Sequence, residues 1–424
     1  MTSRSTDPTI VRAAWIVPLA SGGPADRHGQ SGGPVASVDL RIEAGKIAAI
    51  EPASGRLGAG GVDLGEVVLL PGTVNAHTHL ELSRLAGKIR YRGNFVTWLG
   101  EVTARRPTDD SAVATAVREG ADASLAGGVT CVGDICYGNR AWRTLTDHPI
   151  RAVCFAECLG IGRRRHDALT RLGRDMEGMI EDDGLRIGIS PHAPYSVAEQ
   201  VYRGCLDLAR SNNWPLTTHL AETSDENPFV RHGTGNLYRF LTMLGIADDS
   251  VSATGLSPVA YAASVGLLAH PTLLAHVNYL DDEDLAMLAA SRASVAYCPR
   301  SHRYFQHRGH RFIEMLAAGV NVCVGTDSLA SSPTLSVLDE LRLLRRRHPE
   351  LPGATLLAMG TISGARALGW DDRIGSLSAG KWADAVAVPL DADGPDDPIE
   401  NVLLSDLAPT ATIVGGRMAV RAGA

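Results

Sequence analysis

Two histidines separated by one residue end the first long apolar segment of the chain, which reads VVLLPGTVNAHTHLELS. In an extended strand, side chains two positions apart point to the same side, so His77 and His79 can share one ion. Polar residues also end three later apolar segments: His219 and Glu222 in PLTTHLAET, His276 in TLLAHVNYL, and Asp327 in VNVCVGTDS. Three neutral imidazoles with one carboxylate suit Zn²⁺ and are acceptable to Fe²⁺. The pattern predicts a metal site, and a metal ion would lower the pKa of a water molecule.

The apolar segments that carry these residues belong to a regular series. From Leu69 onward, eight apolar segments are each followed by a segment long enough for a helix. Nearly continuous apolar strands separated by helices are typical of a parallel sheet buried on both faces. Eight such units predict an α/β fold, a TIM-like (β/α)8 barrel over residues 69–369. The carboxyl ends of barrel strands open onto one face, so the polar residues at these ends are expected to converge.

The histidines at the ends of the apolar segments could be structural residues rather than metal ligands. A single histidine at the end of a strand is more often a hydrogen-bonded core residue than a ligand. Four such positions, each at the same end of a predicted strand, favour the metal site. Eight other histidines fall in loops or helical segments and are predicted to be solvated: His28, His148, His166, His232, His270, His307, His310 and His348.

The residue pattern at both ends of the chain differs from the pattern of the barrel segment. Short β segments with Gly-rich turns are predicted at Ile10–Pro18, Val38–Ile42, Lys46–Glu51 and Glu66–Leu70, and again at Trp382–Pro389 and Ala411–Val420. Such segments read as strands bounded by turns. We expect residues 1–68 and 370–424 to pair into one small β-sandwich, with the barrel as the second domain.

Composition narrows the classes of function. The 424 residues are 45% hydrophobic and 21% charged, with a mean hydropathy of +0.00 and a net charge of −7. No apolar stretch is long enough for a membrane span, and an acidic balance disfavours nucleic acid as a partner. Seven cysteines without a C-x-x-C pair predict buried, reduced thiols and a cytoplasmic location. We expect a small-molecule partner; a homo-oligomer is possible, although no pattern in the chain shows an interface.

Several motifs together resemble a known family. The segments NAHTHLELS, SPHAPYS, THLAET, LAHVNYL and VGTDS, in this order, are similar to the amidohydrolase superfamily, and most of all to its deaminase and chlorohydrolase branch. The late segment IGSLSAGKWADAVAV resembles the terminal β segment of that superfamily, which joins the N-terminal strands in a small sandwich. The resemblance spans residues of about 10 to 420 and rests on several independent motifs.

The resemblance implies a role for each matching residue. It makes His77, His79, His219 and Asp327 the metal ligands, and Asp327 also the acceptor of a proton from the activated water. His276 would orient that water and the tetrahedral oxyanion. Glu222 would carry a proton to the leaving nitrogen, a task that suits a carboxyl group at the rim of the metal site. His192, in SPHAPYS, stands where relatives contact a ring nitrogen of the substrate.

The number of metal ions is predicted from the absence of a lysine at one position of the sequence. Relatives with two metal ions have a carbamylated lysine at the end of the fourth apolar segment. The lysines of this chain are Lys46, Lys88 and Lys381, and none lies there. The resemblance therefore implies one catalytic metal ion, with Zn²⁺ as the first choice and Fe²⁺ as the alternative.

The substrate contacts are less specific in the sequence. The segment CPRSHRYFQHRGHR at 298–311 would overhang the site, so Arg300 and His302 could hold a carboxylate or phosphate. The alternative is a solvated loop whose arginines cover apolar surface. The chain departs from methylthioadenosine/adenosylhomocysteine deaminases, because Thr97 precedes Trp98-Leu99 where they have an acidic residue, and Ala156-Glu157 stands where they have an arginine.

Glu81 makes the motif NAHTHLELS more similar to aminodeoxyfutalosine deaminases. Glu81 and Trp98 are therefore candidate substrate contacts. A structural role for Glu81, in a buried salt bridge with Arg84 or with an arginine across the mouth of the barrel, is the alternative.

The residues and the resemblance together favour one function. We predict a metal-dependent aminohydrolase that deaminates an amino-substituted heteroaromatic ring, purine-nucleoside-like, for example aminodeoxyfutalosine. A chlorohydrolase, or a hydrolase of an amide or imine bond, would use the same site, but Glu222 favours amine release because chloride leaves without protonation. A non-catalytic barrel that binds a partner is the third class, and the intact ligand set argues against it.

Overall fold

The structure is a computed structural model, and it describes residues 9–19, 33–58 and 60–421. Its strands are β1 Thr9–Ile16, β2 Val35–Glu43, β3 Lys46–Pro52, β4 Val62–Asp63, β5 Val67–Pro71, β6 Thr73–Thr78, β7 Val129–Cys136, β8 Arg151–Cys158, β9 Leu185–Pro191, β10 Leu216–Leu220, β11 Thr272–His276, β12 Ser294–Tyr297, β13 Asn321–Val324, β14 Ala385–Pro389, β15 Ala411–Val414 and β16 Arg417–Arg421.

Helices follow most of the barrel strands, as a β/α repeat requires. They are α1 Phe95–Arg105, α2 Asp110–Ala126, α3 Arg140–Leu145, α4 Ala168–Asp175, α5 Glu199–Asn212, α6 Glu226–His232, α7 Asn236–Met243, α8 Pro258–Ser264, α9 Asp282–Ala289, α10 Pro299–Tyr304, α11 Phe312–Ala317, α12 Val337–Arg347, α13 Gly353–Met359, α14 Ile362–Ala367 and α15 Pro398–Leu404.

Eight consecutive strands form the barrel sheet, in the order β13-β12-β11-β10-β9-β8-β7-β6. The neighbouring strands from β8 to β13 pair in parallel, and a parallel bridge joins Thr78, at the end of β6, to Asp327, just after β13. All residues of β7, β10 and β11 are buried, as expected for strands covered on both faces. The predicted (β/α)8 barrel is confirmed.

The first apolar segment of the series divides between two sheets. Val67–Pro71 and Thr73–Thr78 are separated by Gly72 alone, and the first joins the sheet of the terminal strands while the second joins the barrel. A Cβ on Gly72 would lie 2.2 Å from Oγ1 of Thr130, so only glycine fits at this break. Hydrophobicity alone cannot reveal such a division, because both halves are equally apolar.

The terminal strands form a mixed sheet in the order β16-β15-β14-β5-β1-β2-β3, with β4 paired to β1. Buried residues of these strands, among them Val11, Leu40, Ile47, Leu69 and Ile413, pack into one hydrophobic core. The predicted pairing of early and late β segments is confirmed. The single strand predicted at Ala411–Val420 is instead a hairpin, because Gly415 and Gly416 turn the chain between β15 and β16 with positive φ angles.

The chain divides into two compact units whose boundaries differ from those predicted. One unit contains the described residues up to Asn75, Asp122–Cys131, and those from Ser336 onward; the other contains Ala76–Ala121 and Val132–Leu335. The prediction placed 69–75, 122–131 and 336–369 with the barrel. The sequence pattern follows the β/α repeat, whereas the units follow contacts, so the two divisions need not agree.

Two predictions made from composition, on the cysteines and on membrane-spanning segments, can be compared with the structure. All seven cysteines are free and buried, which confirms the prediction of thiols in the core. Among the helices of the described residues, none is both long and apolar enough to cross a membrane.

Candidate metal centre and active site

Three histidine side chains meet at the carboxyl ends of the barrel strands. His77 lies near the end of β6, His79 just beyond it, and His219 in β10; one ring nitrogen from each lies within 4.8 Å of those of the other two. Nε2 of His79 is 3.2 Å from Nε2 of His219. Burial, followed by the neighbouring histidines, holds the pKa values of His77 and His79 well below the usual range. Burial also lowers the pKa of His219 to about 4. All three rings are therefore neutral at pH 7, the state in which imidazole binds a metal.

The hydrogen bonds of these rings indicate which nitrogen is free to bind an ion. Nδ1 of His219 is 3.0 Å from the carbonyl oxygen of His192, which can only accept, so Nδ1 donates and Nε2 keeps its lone pair. Both ring nitrogens of His77 are buried and have no hydrogen-bond partner among the described residues. A buried polar atom without a partner is costly. A cation that binds one nitrogen from each of the three rings would satisfy one of the two nitrogens of His77, so the residues present fit a metal ion.

Asp327 lies beside the histidine cluster. Its Oδ1 lies 4.0 Å from Nε2 of His77 and 3.7 Å from Nε2 of His79. Its Oδ2 accepts hydrogen bonds from the hydroxyl groups of Ser301, at 2.6 Å, and Ser331, at 2.7 Å. One oxygen is thus anchored by two donors, and the other points toward the histidines.

Glu222 is buried beside this cluster. Its Oε1 is 3.7 Å from Nε2 of His276, and its Oε2 accepts a hydrogen bond of 3.3 Å from the Tyr195 hydroxyl. Burial, and then the charges of Asp327 and Glu226, hold the pKa of Glu222 well above its usual range. Burial therefore favours the protonated form of the side chain, which is the form that can donate.

The main chain around Glu222 is held by residues that the sequence analysis did not single out. The carboxylate of Glu226, at the start of α6, accepts the backbone N–H groups of Ala221 at 2.8 Å and Glu222 at 3.0 Å. The side-chain amide of Asn278 donates to the carbonyl oxygen of Glu222 at 2.9 Å, and its Oδ1 accepts from Nδ1 of His302 at 3.0 Å. The proximity of Asn278 to His276 in LAHVNYL was the available signal for its role.

The backbone itself turns sharply at the strand ends that carry the site. Ala221, His276, Val277 and Asp327 have φ angles of 48°, 72°, 49° and 58°. A non-glycine residue in this left-handed region costs roughly 1–2 kcal/mol. The carbonyl oxygen of His276 is also fixed, by a hydrogen bond of 2.8 Å from Nε2 of His310.

His310 corrects one of the sequence predictions. It was expected to be solvated, but its ring stacks on Tyr297 at 3.9 Å, and burial lowers its pKa to about 3. His307 was also expected to be solvated, and its Nδ1 lies 2.8 Å from the Tyr279 hydroxyl. Aromatic packing after β12 overrides the polar appearance of this segment. The prediction for His28 lies outside the described residues.

A cavity of about 230 Å³ opens onto the histidine cluster. His79, His219, Glu222 and Asp327 form part of its wall. The rest of the wall is mainly apolar and includes Phe95, Trp98, Val102, Leu237, Phe240 and Leu244. Three of the residues predicted to contact substrate, Glu81, Trp98 and His192, line this cavity.

The other two predicted substrate contacts lie elsewhere. Neither Arg300 nor His302 lines the cavity. His302 is buried and is used in the hydrogen bond to Asn278, and the segment after β12 forms helix α10 rather than an overhanging loop. The arginines that line the cavity are Arg106 and Arg164.

Glu81 has a structural partner, which is not Arg84. Its Oε1 accepts the backbone N–H of Tyr137 at 3.1 Å, and its Oε2 lies 3.2 Å from Nη2 of Arg106. Arg106 also stacks on the Tyr137 ring, 4.7 Å from its centroid, whereas Arg84 pairs with Glu119. The alternative of a buried salt bridge across the mouth of the barrel therefore describes Glu81.

Comparison with known proteins identifies the family. A model of the amidohydrolase family matches residues 68–419. 5-methylthioadenosine/S-adenosylhomocysteine deaminase of Symbiobacterium thermophilum is 30% identical over 375 residues, which cover 84% of this chain and 80% of that one. Aminodeoxyfutalosine deaminase of Deinococcus radiodurans is 30% identical over 313 residues, covering 71% and 73%.

A solved structure agrees over nearly the whole length. The adenosine deaminase from Xanthomonas campestris with bound zinc is 25% identical, with a TM-score of 0.81 and coverage of 97% of this chain and 93% of that one. The predicted resemblance to the deaminase branch is confirmed, as is a hydrolase acting on carbon–nitrogen bonds. The chain belongs to the amidohydrolase family.

Proposed function

We propose that the protein binds one divalent cation, Zn²⁺ by preference, and hydrolytically deaminates a purine-like nucleoside. The observation that carries the proposal is the cluster of His77, His79 and His219, with Oδ1 of Asp327 4.0 Å from Nε2 of His77 and 3.7 Å from Nε2 of His79. The names of the two relatives at 30% identity support the reaction class. Fe²⁺ is the alternative ion, because the same donors accept it.

The cation would supply one piece of chemistry, a water molecule with its pKa lowered to about 7. Asp327 is placed to take the proton of that water with Oδ1, while Ser301 and Ser331 keep the carboxylate from turning. Nε2 of His276 is buried and has no hydrogen-bond partner among the described residues, so it is available to the oxygen that attacks the ring carbon.

Glu222 would complete the reaction as the general acid. An amine is a poor leaving group until it is protonated, and a positioned acid supplies that proton in the transition state. Burial raises the pKa of Glu222 and so favours its protonated form, and Tyr195 and Asn278 fix its side chain and main chain. This acid favours deamination over chloride release from the same site.

The apolar part of the cavity supports a substrate larger than a free base. The aromatic residues Phe95, Trp98 and Phe240 line the cavity, and aromatic side chains favour contact with apolar or aromatic substituents. A methylthio or benzoate-bearing sugar attached to the purine fits this chemistry. The two relatives named above are, by their names, deaminases of 5-methylthioadenosine or S-adenosylhomocysteine and of aminodeoxyfutalosine.

Ammonia release by the zinc-loaded protein tests the proposal. The panel contains adenosine, methylthioadenosine, aminodeoxyfutalosine, guanine, cytosine and a chlorotriazine. We expect ammonia from a purine nucleoside, loss of that activity on chelation, and recovery on adding zinc. Silence across the panel with stoichiometric metal bound would contradict the substrate class, and chloride from the triazine would favour a chlorohydrolase. A folded, metal-free protein without recovery would indicate a binding protein.

Arg164 provides a prediction about an anionic substituent. It is exposed and lines the cavity, so we expect Arg164→Gln to raise KM for carboxylate-bearing aminodeoxyfutalosine by roughly three- to tenfold. KM for neutral methylthioadenosine should change less than about twofold, since it offers no charge to the guanidinium. Arg163→Gln is the matched control, because Arg163 is exposed in the same turn and does not line the cavity. Equal effects on both substrates would contradict a carboxylate contact.

A further inference from the structure

The turn after β11, residues 276–278, connects two side chains of the proposed reaction. It carries the ring of His276, and the side-chain amide of Asn278 donates to the carbonyl oxygen of Glu222 at 2.9 Å. His276 and Val277 have successive φ angles of 72° and 49°, in the left-handed region. A residue with a Cβ is strained there by an amount comparable to what one hydrogen bond contributes. The turn therefore needs contacts that hold it.

Backbone hydrogen bonds hold the turn on the side of β10. The N–H group of Val277 donates to the carbonyl oxygen of Leu220 at 3.0 Å. On the side of β12 the strand pairing ends at Ala275, so His276 lies one residue beyond the last pair. The contacts of the turn on this second side come from side chains.

Two histidines of the segment after β12 supply these contacts. Nε2 of His310 lies 2.8 Å from the carbonyl oxygen of His276, which can only accept. Nδ1 of His302 lies 3.0 Å from Oδ1 of Asn278. The amide nitrogen of Asn278 already donates to Glu222, so its oxygen is the acceptor and His302 is the donor. Burial lowers the pKa of His310 to about 3, so its neutral ring has one N–H, which the turn uses.

The two histidine rings pack together with Tyr297. The ring of His310 stacks on Tyr297, with centroids 3.9 Å apart, and meets the ring of His302 edge to face at 5.6 Å. Neither histidine lines the cavity. A nucleoside in the cavity would not contact them, so their effect on a reaction there must pass through residues 276–278.

We infer that His302 and His310 are positioning residues of the proposed deamination, which act by holding the turn 276–278. Through this turn, His310 sets the position of the His276 ring, and His302 sets the position of the Glu222 main chain. The inference rests on the proposed function, because it concerns groups assigned to that reaction.

Two replacements of His310 separate its hydrogen bond from its packing. Glutamine can place an amide N–H near the position of Nε2 but has no ring to stack, whereas phenylalanine keeps a ring on Tyr297 and has no donor. His310→Phe should lower kcat roughly 10- to 100-fold, because a misplaced His276 fails the transition state, with KM for a purine nucleoside within about twofold. His310→Gln should keep kcat within about threefold of the wild type.

His307→Phe is the matched control. His307 belongs to the same segment, but its Nδ1 lies 2.8 Å from the Tyr279 hydroxyl rather than on residues 276–278. Its variant should keep the wild-type kcat and KM. An active His310→Phe beside an inactive His310→Gln would indicate a packing role and overturn the inference. Full activity of both variants, or equal losses in both, would overturn it as well.

The contact of His302 is tested by a similar pair. Asparagine can place an amide N–H near the position of Nδ1, and leucine has no donor. We expect His302→Leu to lower kcat roughly tenfold and His302→Asn to restore most of it, again with little change in KM. Equal kcat values for these two variants would remove His302 from the inference.

Crystal structures of the wild type and of the two His310 variants separate failure of this inference from failure of the proposed function. In His310→Phe, we expect the His276 carbonyl to turn and Nε2 of His276 to move farther than 3.7 Å from Oε1 of Glu222. In His310→Gln, that distance should be kept. A displaced turn in a protein that deaminates no nucleoside would support the positioning role for another reaction. An unchanged turn in His310→Phe would refute the inference whatever the substrate.

Discussion

Replacement of Glu222 by glutamine is expected to lower kcat for ammonia release by roughly 10²- to 10⁴-fold while bound metal stays stoichiometric. Glutamine has the shape of the protonated carboxyl group, and its amide oxygen can still accept from Tyr195. It has no proton acidic enough for the leaving amine. Metal content by elemental analysis and single-turnover kinetics measure the two quantities separately.

A chlorinated substrate analogue separates proton donation from substrate positioning. Chloride leaves without protonation, so Glu222→Gln should retain far more of its activity on a 6-chloropurine nucleoside than on the 6-amino form. Glu226→Gln is the companion variant, because Glu226 holds the backbone N–H groups of Ala221 and Glu222 but lies outside the proposed chemistry. It should lower turnover of both substrates alike. Full ammonia release by Glu222→Gln would remove that residue from the mechanism.

Replacement of His219 by alanine is expected to have the largest effect on metal binding. The ring supplies one of three converging nitrogens, and its Nδ1–H bond to the His192 carbonyl holds Nε2 toward His79. Its loss should weaken zinc affinity by roughly 100-fold or more and abolish deamination. A ligand that binds the folded state raises Tm by mass action, so zinc should raise Tm of the wild type but not of the variant.

His232→Ala is the control for this experiment. His232 is exposed at the end of α6, outside the cavity, so its variant should bind zinc stoichiometrically and keep both the activity and the zinc-dependent rise in Tm. Stoichiometric zinc in His219→Ala after gel filtration would contradict its assignment as a ligand.

The positions of the site residues along the strands could be read from the sequence for a physical reason. Carboxyl ends of parallel barrel strands converge, so His77, His219, His276 and Asp327 meet although they are far apart in the chain. The local sequence is sufficient to predict these positions, because each residue needs only to stand at the end of an apolar segment. The contacts predicted for His192 and Trp98 came instead from the resemblance to relatives, and both residues line the cavity.

Contacts that depend on side-chain direction could not be read in the same way. Ser301 and Ser331 bond to Asp327 from two different segments, and neither serine has a pattern that distinguishes it from solvated serines. Arg300 and Arg164 look equivalent in sequence, yet Arg164 alone of the two lines the cavity. The path of the backbone after β8 and after β12 determines which of the two arginines lines the cavity. Amino-acid composition does not predict that path.

The position of β5 has a consequence for biosynthesis. In its sheet β5 lies between β1 and β14, and all five of its residues, VVLLP, are buried. During translation β14 emerges only after every proposed metal ligand, because Asp327 precedes Ala385. An apolar strand edge that waits for its partner can pair with another chain. A nascent chain that stalls between these two residues would already contain all the proposed metal ligands. The edge of β5 that pairs with β14 would still be unpaired, and it would be free to associate with another chain unless a chaperone covered it.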